Sequence, residues 1–153
     1  MKVRADIAYK PYHLIELVKR LREFESEQYS GYLVSIERWV SMVVGNTPNP
    51  RTLTVDGEVI CIGGISLLWT GVGEGWLIGS KLLESNPIYV QKRTLFHLQD
   101  ALVKNDLHRI QATTVVGNEL TYRWAISLGF QLEGNMCKYG VDGKDYYMYG
   151  RIS

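Results

Sequence analysis

Few polar residues in this chain are placed to do chemistry, and Asn118 is the first of them. It follows Gly117, where the β-branched run Arg109 to Val116 stops and a helical pattern begins at Glu119. An asparagine there can accept a hydrogen bond from an orphan N–H of the first turn, and it can bind a ligand while doing so. Glu74, between Gly73 and Gly75 on a predicted loop edge, is either ordinary surface or a functional carboxylate, since loops carry a large share of site residues. His97 falls within a helix pattern and His108 at a strand start, so neither is assigned as a base. Cys61 and Cys137 lie far apart in strand-like runs and read as two reduced core thiols rather than a disulfide or a metal site.

The elements that must position these residues follow from periodicity. Val3 to Tyr9 alternates as a strand, with Val3, Ala5, Ile7 and Tyr9 on one face. Leu14, Leu17, Val18, Leu21 and Phe24 recur at helical spacing, opposite Lys19, Arg20, Glu23 and Glu27. Tyr32 to Val44 reads as a second helix, and the two prolines of Asn46 to Pro50 impose a loop. Thr52 to Val55, the Asp56-Gly57 turn and Glu58 to Ile65 form a hairpin, and the unalternating Val59 to Ile62 is expected to be covered on both faces. Glu74 to Ser80 is the next strand. Residues 87 to 104 form a helix that admits Pro87 in its first turn and aligns Leu95, Leu98 and Leu102. Leu120, Trp124 and Leu128 share one face of the helix after Asn118, Gly129 stops it, and Phe130 returns to the core.

Over residues 108 to 150 the sequence resembles the GNAT N-acyltransferases, in particular the branch that acetylates the N-termini of ribosomal proteins. The shared features, in order, are Asn118, Thr121, Arg123, Leu128-Gly129-Phe130, Glu133-Gly134, Lys138, Asp142-Gly143 and Tyr146-Tyr147. Before residue 108 the likeness is one of element order. It implies a single α+β domain over residues 1–153, a three-layer GNAT-like fold with a mixed, mostly antiparallel sheet of about six or seven strands and about four helices.

The resemblance further implies an acetyl-CoA-dependent transfer of an acetyl group to a primary amine, possibly on a protein or peptide. The strands of residues 74 to 80 and 109 to 116 splay apart in that family and admit the pantetheine arm. Backbone N–H groups near Leu77 and Ile78 then serve as oxyanion donors, Glu74 as the base, and Asn118 as a holder of the pantetheine arm or a substrate carbonyl. Ser80, Lys81 and Arg123 complete the implied cofactor contacts. Two features depart from the family. The stretch Ser80 to Pro87 lacks the glycine-rich loop that meets the pyrophosphate, and Ala125 stands where many members place a tyrosine that protonates the thiolate. A tryptophan strand ending in serine, a long helix without the glycine loop, and Val116-Gly117-Asn118 also resemble the GNAT-like internal virion proteins of short-tailed phages, which implies a non-catalytic role. The two expectations are separated by whether acetyl-CoA binds.

Composition excludes other classes. With 46% hydrophobic and 22% charged residues the chain is not of disordered composition, and a net charge of +1 gives no field that calls for nucleic acid or an anionic membrane. Charges interrupt the N-terminus, and the longest apolar run, Val59 to Trp69, is too short and glycine-broken to span a bilayer. The expectation is a cytoplasmic protein, or a virion component under the second reading, acting as a monomer or homodimer.

Overall fold

Asp56 and Gly57 both take positive φ, 50° and 80°, as a type I′ turn requires, and the strands they join pair antiparallel. In the computed structural model of the chain, residues 1–21 and 36–153 are described. The elements are β1 (Arg4–Ala8), α1 (Pro11–Val18), α2 (Ile36–Val44), β2 (Arg51–Val55), β3 (Glu58–Trp69), β4 (Val72–Gly79), a 3-10 turn (Lys81–Leu83), α3 (Pro87–Lys104), β5 (Arg109–Val115), α4 (Glu119–Ser127), β6 (Gln131–Met136) and β7 (Tyr146–Ile152). The seven strands form one sheet in the order β1-β2-β3-β4-β5-β7-β6. Among the described residues only the β4–β5 pair is parallel. The expected α+β sheet with four helices is therefore present among the described residues. Phe24, Glu23, Glu27 and the first residues of the predicted second helix lie outside them.

Two layers of helices cover the sheet. On one face Leu14 and Leu17 of α1 and Ile36 and Val40 of α2 pack against Val59, Ile62 and Ile78. On the other, Leu98 of α3 and Ala125 of α4 join Leu128, Phe130, Ile110 and Tyr149, while Val90 meets Leu53 and Ile60. Val59 to Ile62 are all buried, so β3 is covered on both faces as its unbroken apolar run predicts. Pro87 opens α3, where its missing N–H costs no intrahelical bond. Gly129 takes φ 90° beyond α4, a left-handed stop that suits glycine.

Several expectations are corrected. On β1 neither side is wholly covered: Val3 and Ile7 are 65% and 39% exposed while Ala5 and Tyr9 on the same face are half-buried, and across the strand the Asp6 carboxylate is only 9% exposed. The reason is electrostatic. Arg51 Nε lies 2.8 Å from Asp6 Oδ1, and Arg93 Nε and His97 Nε2 each lie 2.6 Å from Oδ2, so edge strand β1 is tied to α3 through charge. Leu120 is exposed, and the buried stripe of α4 runs through Ala125 and Leu128 instead. Cys61 is buried but Cys137 is exposed, because it falls just past the end of edge strand β6. Trp76 and Trp124 are half-buried, and Phe130 is buried.

Candidate active site

The parallel pairing of β4 with β5 is short. It runs Val72↔Arg109, Gly73↔Ile110 and Glu74↔Gln111, and then stops. Beyond that rung Gly75 to Ile78 pair with β3, and Ala112 to Val115 with β7, with no further rung between β4 and β5. The two strands therefore separate at Glu74, which stands at the floor of a cleft opening toward their C-terminal ends.

Backbone parity decides which donors face that cleft. The Ser80 N–H donates to the Ile60 carbonyl at 2.8 Å, and successive N–H groups of a strand point to opposite edges. Trp76 and Ile78 therefore direct their N–H groups to β3, whereas Leu77 directs its own to the cleft. Of the two N–H groups expected as oxyanion donors, that of Leu77 therefore faces the cleft and that of Ile78 faces β3. The Leu77 side chain packs against the cluster of Leu53, Ile60, Cys61 and Val90, and Ile78 is fully buried against the helices of the opposite face.

Glu74 shares the α1–α2 face of β4 with Trp76 and Ile78, by alternation. Burial pushes its carboxyl above the usual carboxylate range, and hydrogen bonding from the Gln111 side chain works against that rise. Gln111, which sequence reasoning did not single out, is the side chain on the same rung. Its own position is fixed from behind. Arg109 Nε donates to Gln111 Oε1 at 3.3 Å, and the two Nη atoms of Arg109 donate to both oxygens of Glu133 at 2.9 and 2.6 Å. Because Arg109 can only donate, the Gln111 oxygen faces it and the amide hydrogens are left for Glu74. Gly150 makes room for this pair, since a Cβ there would collide with Glu133 and lie 2.6 Å from Arg109 Nη1.

A wall rises beside Glu74. Trp76 Nε1–H donates to Thr47 Oγ1 at 3.0 Å, and Thr47 in turn donates to the Val43 carbonyl at 2.8 Å. Thr47 lies over Gly64, where any Cβ would collide with its methyl group, and Trp39 meets Trp76 edge-on at 6.3 Å. The loop between α2 and β2 is thereby pinned onto the face that carries the carboxylate.

The other site candidates are placed as follows. Asn118 Oδ1 accepts from the Thr121 N–H at 3.1 Å, so the residue caps α4. It also lines a shallow open depression with Gly117, Glu119 and Lys144 at the C-terminal end of β5. Arg123 lies on the solvent side of α4, 3.2 Å from Glu119 one turn earlier. Lys81 is exposed at the start of the 3-10 turn. Ser80 is corrected as a side-chain ligand: it is fully buried, and its hydroxyl donates to the Val59 and Ile60 carbonyls and accepts from the Leu82 N–H. Nothing of that side chain remains for a phosphate.

The same architecture is found in solved acetyltransferases. An acetyltransferase of the GNAT family from Bacillus anthracis matches with TM-score 0.73 at 17% identity, over 97% of this chain and 94% of the other. The chain has the GNAT fold. A ribosomal-protein-alanine N-acetyltransferase from Brucella melitensis gives TM-score 0.77 at 13% identity, over 97% and 99% of the two chains. A putative acetyltransferase from Salmonella typhimurium, solved with its cofactor acetyl-CoA, gives 0.70 at 12% over 97% and 93%. No protein-family model and no curated protein matches the sequence. At these identities the likeness is one of fold, and function rests on the site.

Proposed function

We propose that this chain is an N-acyltransferase that moves an acetyl group from a thioester donor, acetyl-CoA in the related fold, to a primary amine on a protein or peptide. The observation that carries the reading is the opening between β4 and β5 with Glu74 in its floor. A cleft between parted parallel strands offers unpaired backbone groups to an extended amide-bearing arm such as pantetheine, in the manner of a third strand. The Leu77 N–H faces the position where a thioester oxygen would gain charge, which is where a fixed donor accelerates acyl transfer. Glu74 is partly desolvated, so its basicity is raised toward that of an effective general base. Asn118, at the far end of β5, is suited to hold the arm or a substrate carbonyl. Lys81 and Arg123, both exposed, are the cations that the resemblance assigns to the cofactor path. Incubation with acetyl-CoA and a pool of peptides bearing free N-terminal amines, read by mass spectrometry, tests this. Peptides that stay unmodified under all donor and pH conditions would sink it.

One observation favours a second, non-catalytic reading of the kind seen in the GNAT-like internal virion proteins. The segment after β4, which in the family meets the pyrophosphate, is folded on itself as a 3-10 turn. Absence of any thermal shift with millimolar acetyl-CoA or with pantetheine would favour that reading over catalysis.

A further inference from the structure

We propose that the acyl donor of this protein is a pantetheine thioester gripped without its adenine nucleotide, so that the acyl-pantetheine arm alone carries recognition. The inference rests on the acyltransfer reading above and deepens it. Its basis is a complete account of the donors between β4 and α3. The Ser80 N–H donates to the Ile60 carbonyl at 2.8 Å and the Lys81 N–H to the Arg20 carbonyl at 3.0 Å. Leu82 N–H donates to the Ser80 hydroxyl at 3.2 Å. The N–H groups of Leu83, Glu84, Ser85 and Asn86 donate to the carbonyls of Ser80, Lys81, Leu82 and Leu83, at 3.1, 3.3, 3.3 and 3.2 Å. Pro87 has no N–H. A pyrophosphate is held at such a place by successive backbone N–H groups that point outward, and here every one from Ser80 to Asn86 already points inward.

Side chains do not restore the cradle. The Asn86 amide donates to the Leu82 carbonyl at 2.7 Å, and its oxygen accepts from Arg4 Nε at 2.9 Å. Leu82 and Leu83 pack into the core beneath, and the exposed carboxylate of Glu84 offsets the charge of exposed Lys81 three residues before it. At the start of α3 the first-turn N–H groups of Ile88 and Tyr89 remain, after Pro87, which has none, and next to exposed, apolar Ile88. The pantetheine end differs, because beyond Glu74 the stretch Gly75 to Ile78 of β4 and the stretch Ala112 to Val115 of β5 share no rung with each other. One half of the donor path is open and the other is closed.

Such a donor is either a small acyl-pantetheine or a phosphopantetheine arm carried on a protein. The chemistry is the same for both. The amine nitrogen bonds to the thioester carbon, the C–S bond breaks, the amine proton passes to Glu74, and the sulfur leaves as a thiolate that takes a proton from water. The test compares acetyl-CoA, S-acetyl-pantetheine and an acetyl-phosphopantetheinyl carrier protein as donors to one pooled set of free-amine peptides. Alongside it, labelled protein is titrated with pantetheine and with adenosine 3′,5′-bisphosphate. We expect kcat/KM for S-acetyl-pantetheine within about tenfold of that for acetyl-CoA, since truncation then removes no productive contact. Pantetheine should shift amides of Gly75 to Gly79 and of Ala112 to Val115, and the bisphosphate should leave Ser80 to Tyr89 unmoved. A higher kcat/KM for the carrier protein than for both small donors identifies the protein-borne arm, and equal values identify the small thioester. Preference for acetyl-CoA over S-acetyl-pantetheine by a hundredfold or more, or bisphosphate shifts in the turn, overturns the proposal and leaves acyltransfer standing. Failure of all three donors together with silence toward pantetheine overturns both.

Discussion

Replacing Asp6 by asparagine tests how this sheet holds its first strand. Asp6 sits on β1, the outer strand of the sheet, and draws in Arg51 of β2 and Arg93 and His97 of α3 at 2.6 to 2.8 Å. Burial raises its pKa, but hydrogen bonds from His97, Arg51 and Arg93 together outweigh burial and hold the carboxyl well below the usual carboxylate range. Removing one partner of a buried ion pair costs roughly 3–5 kcal/mol. The partner side chains are 18% to 32% exposed, so solvent screening places the expected loss near the lower end, about 3 kcal/mol. For a domain of this length that lowers Tm by about 6–12 °C. The sign with pH follows from the depressed folded value: the contribution is full above the unfolded aspartate pKa of about 3.9, and fades as pH falls through it toward the folded value. Urea melts of wild type and Asp6→Asn should thus differ by about 3 kcal/mol at pH 7 and by progressively less below about pH 4. A second substitution sharpens the test. Arg93→Leu should destabilise the wild type, yet recover part of the loss in the Asp6→Asn background, where it removes one of two uncompensated cations. A neutral-pH difference under about 1 kcal/mol, the worth of an exposed pair, or Arg93→Leu with the same sign in both backgrounds, would refute the reasoning.

Other outcomes follow from the site. Glu74→Gln should lower the acylation rate roughly a hundredfold with donor affinity little changed; because burial raises the Glu74 pKa, wild-type activity should fall as pH drops through that raised value, and a pH–rate profile with the same acid limb in both proteins would remove Glu74 from the chemistry. Thr47→Val leaves the Trp76 indole N–H without its acceptor and should cost about 1–3 kcal/mol, read as a lower urea midpoint and altered tryptophan fluorescence. Gly63→Ala sets a Cβ 2.7 Å from the Trp76 carbonyl oxygen, a backbone atom that cannot move aside, and should destabilise by roughly 1–3 kcal/mol in a thermal melt. Gly150→Ala should break the Arg109–Glu133 pair and loosen Gln111, visible as a change in the Gln111 side-chain amide resonances.

What could be read from the sequence was what local chemistry determines. Asp56-Gly57, Pro87, Asn118 and Gly129 each do a job defined within one turn of chain, and each does it in the fold. The unbroken Val59 to Ile62 announced a strand with two covered faces because no residue on it tolerates water. Charge defeated the same logic on β1, where the alternating residues were visible but the three partners that pull Asp6 inward come from β2 and α3. At the site the pattern repeats. Glu74 was legible as a glycine-flanked carboxylate, whereas Gln111 became its neighbour only through the parallel register, which no spacing in the sequence reports.

The sharpest case is the pair Ile78 and Ser80, because one bond explains how both are turned. The Ser80 N–H reaches the Ile60 carbonyl, and that single contact fixes the parity of β4, turning the Ile78 N–H toward β3 and the Leu77 N–H toward the cleft. The same residue then buries its hydroxyl against the Val59 and Ile60 carbonyls and receives the Leu82 N–H, which starts the inward-facing turn. A serine at the end of a strand looks, in sequence, like a polar group waiting for a ligand. Here its position on the β3 side of β4 makes it the point at which the strand is locked and the phosphate-facing donors are withdrawn. The missing glycines were readable as a loss of space; the turn takes up the N–H groups of Leu82 to Asn86 locally, and those of Ser80 and Lys81 go to long-range partners, Ile60 on β3 and Arg20 after α1, which only the fold brings to it.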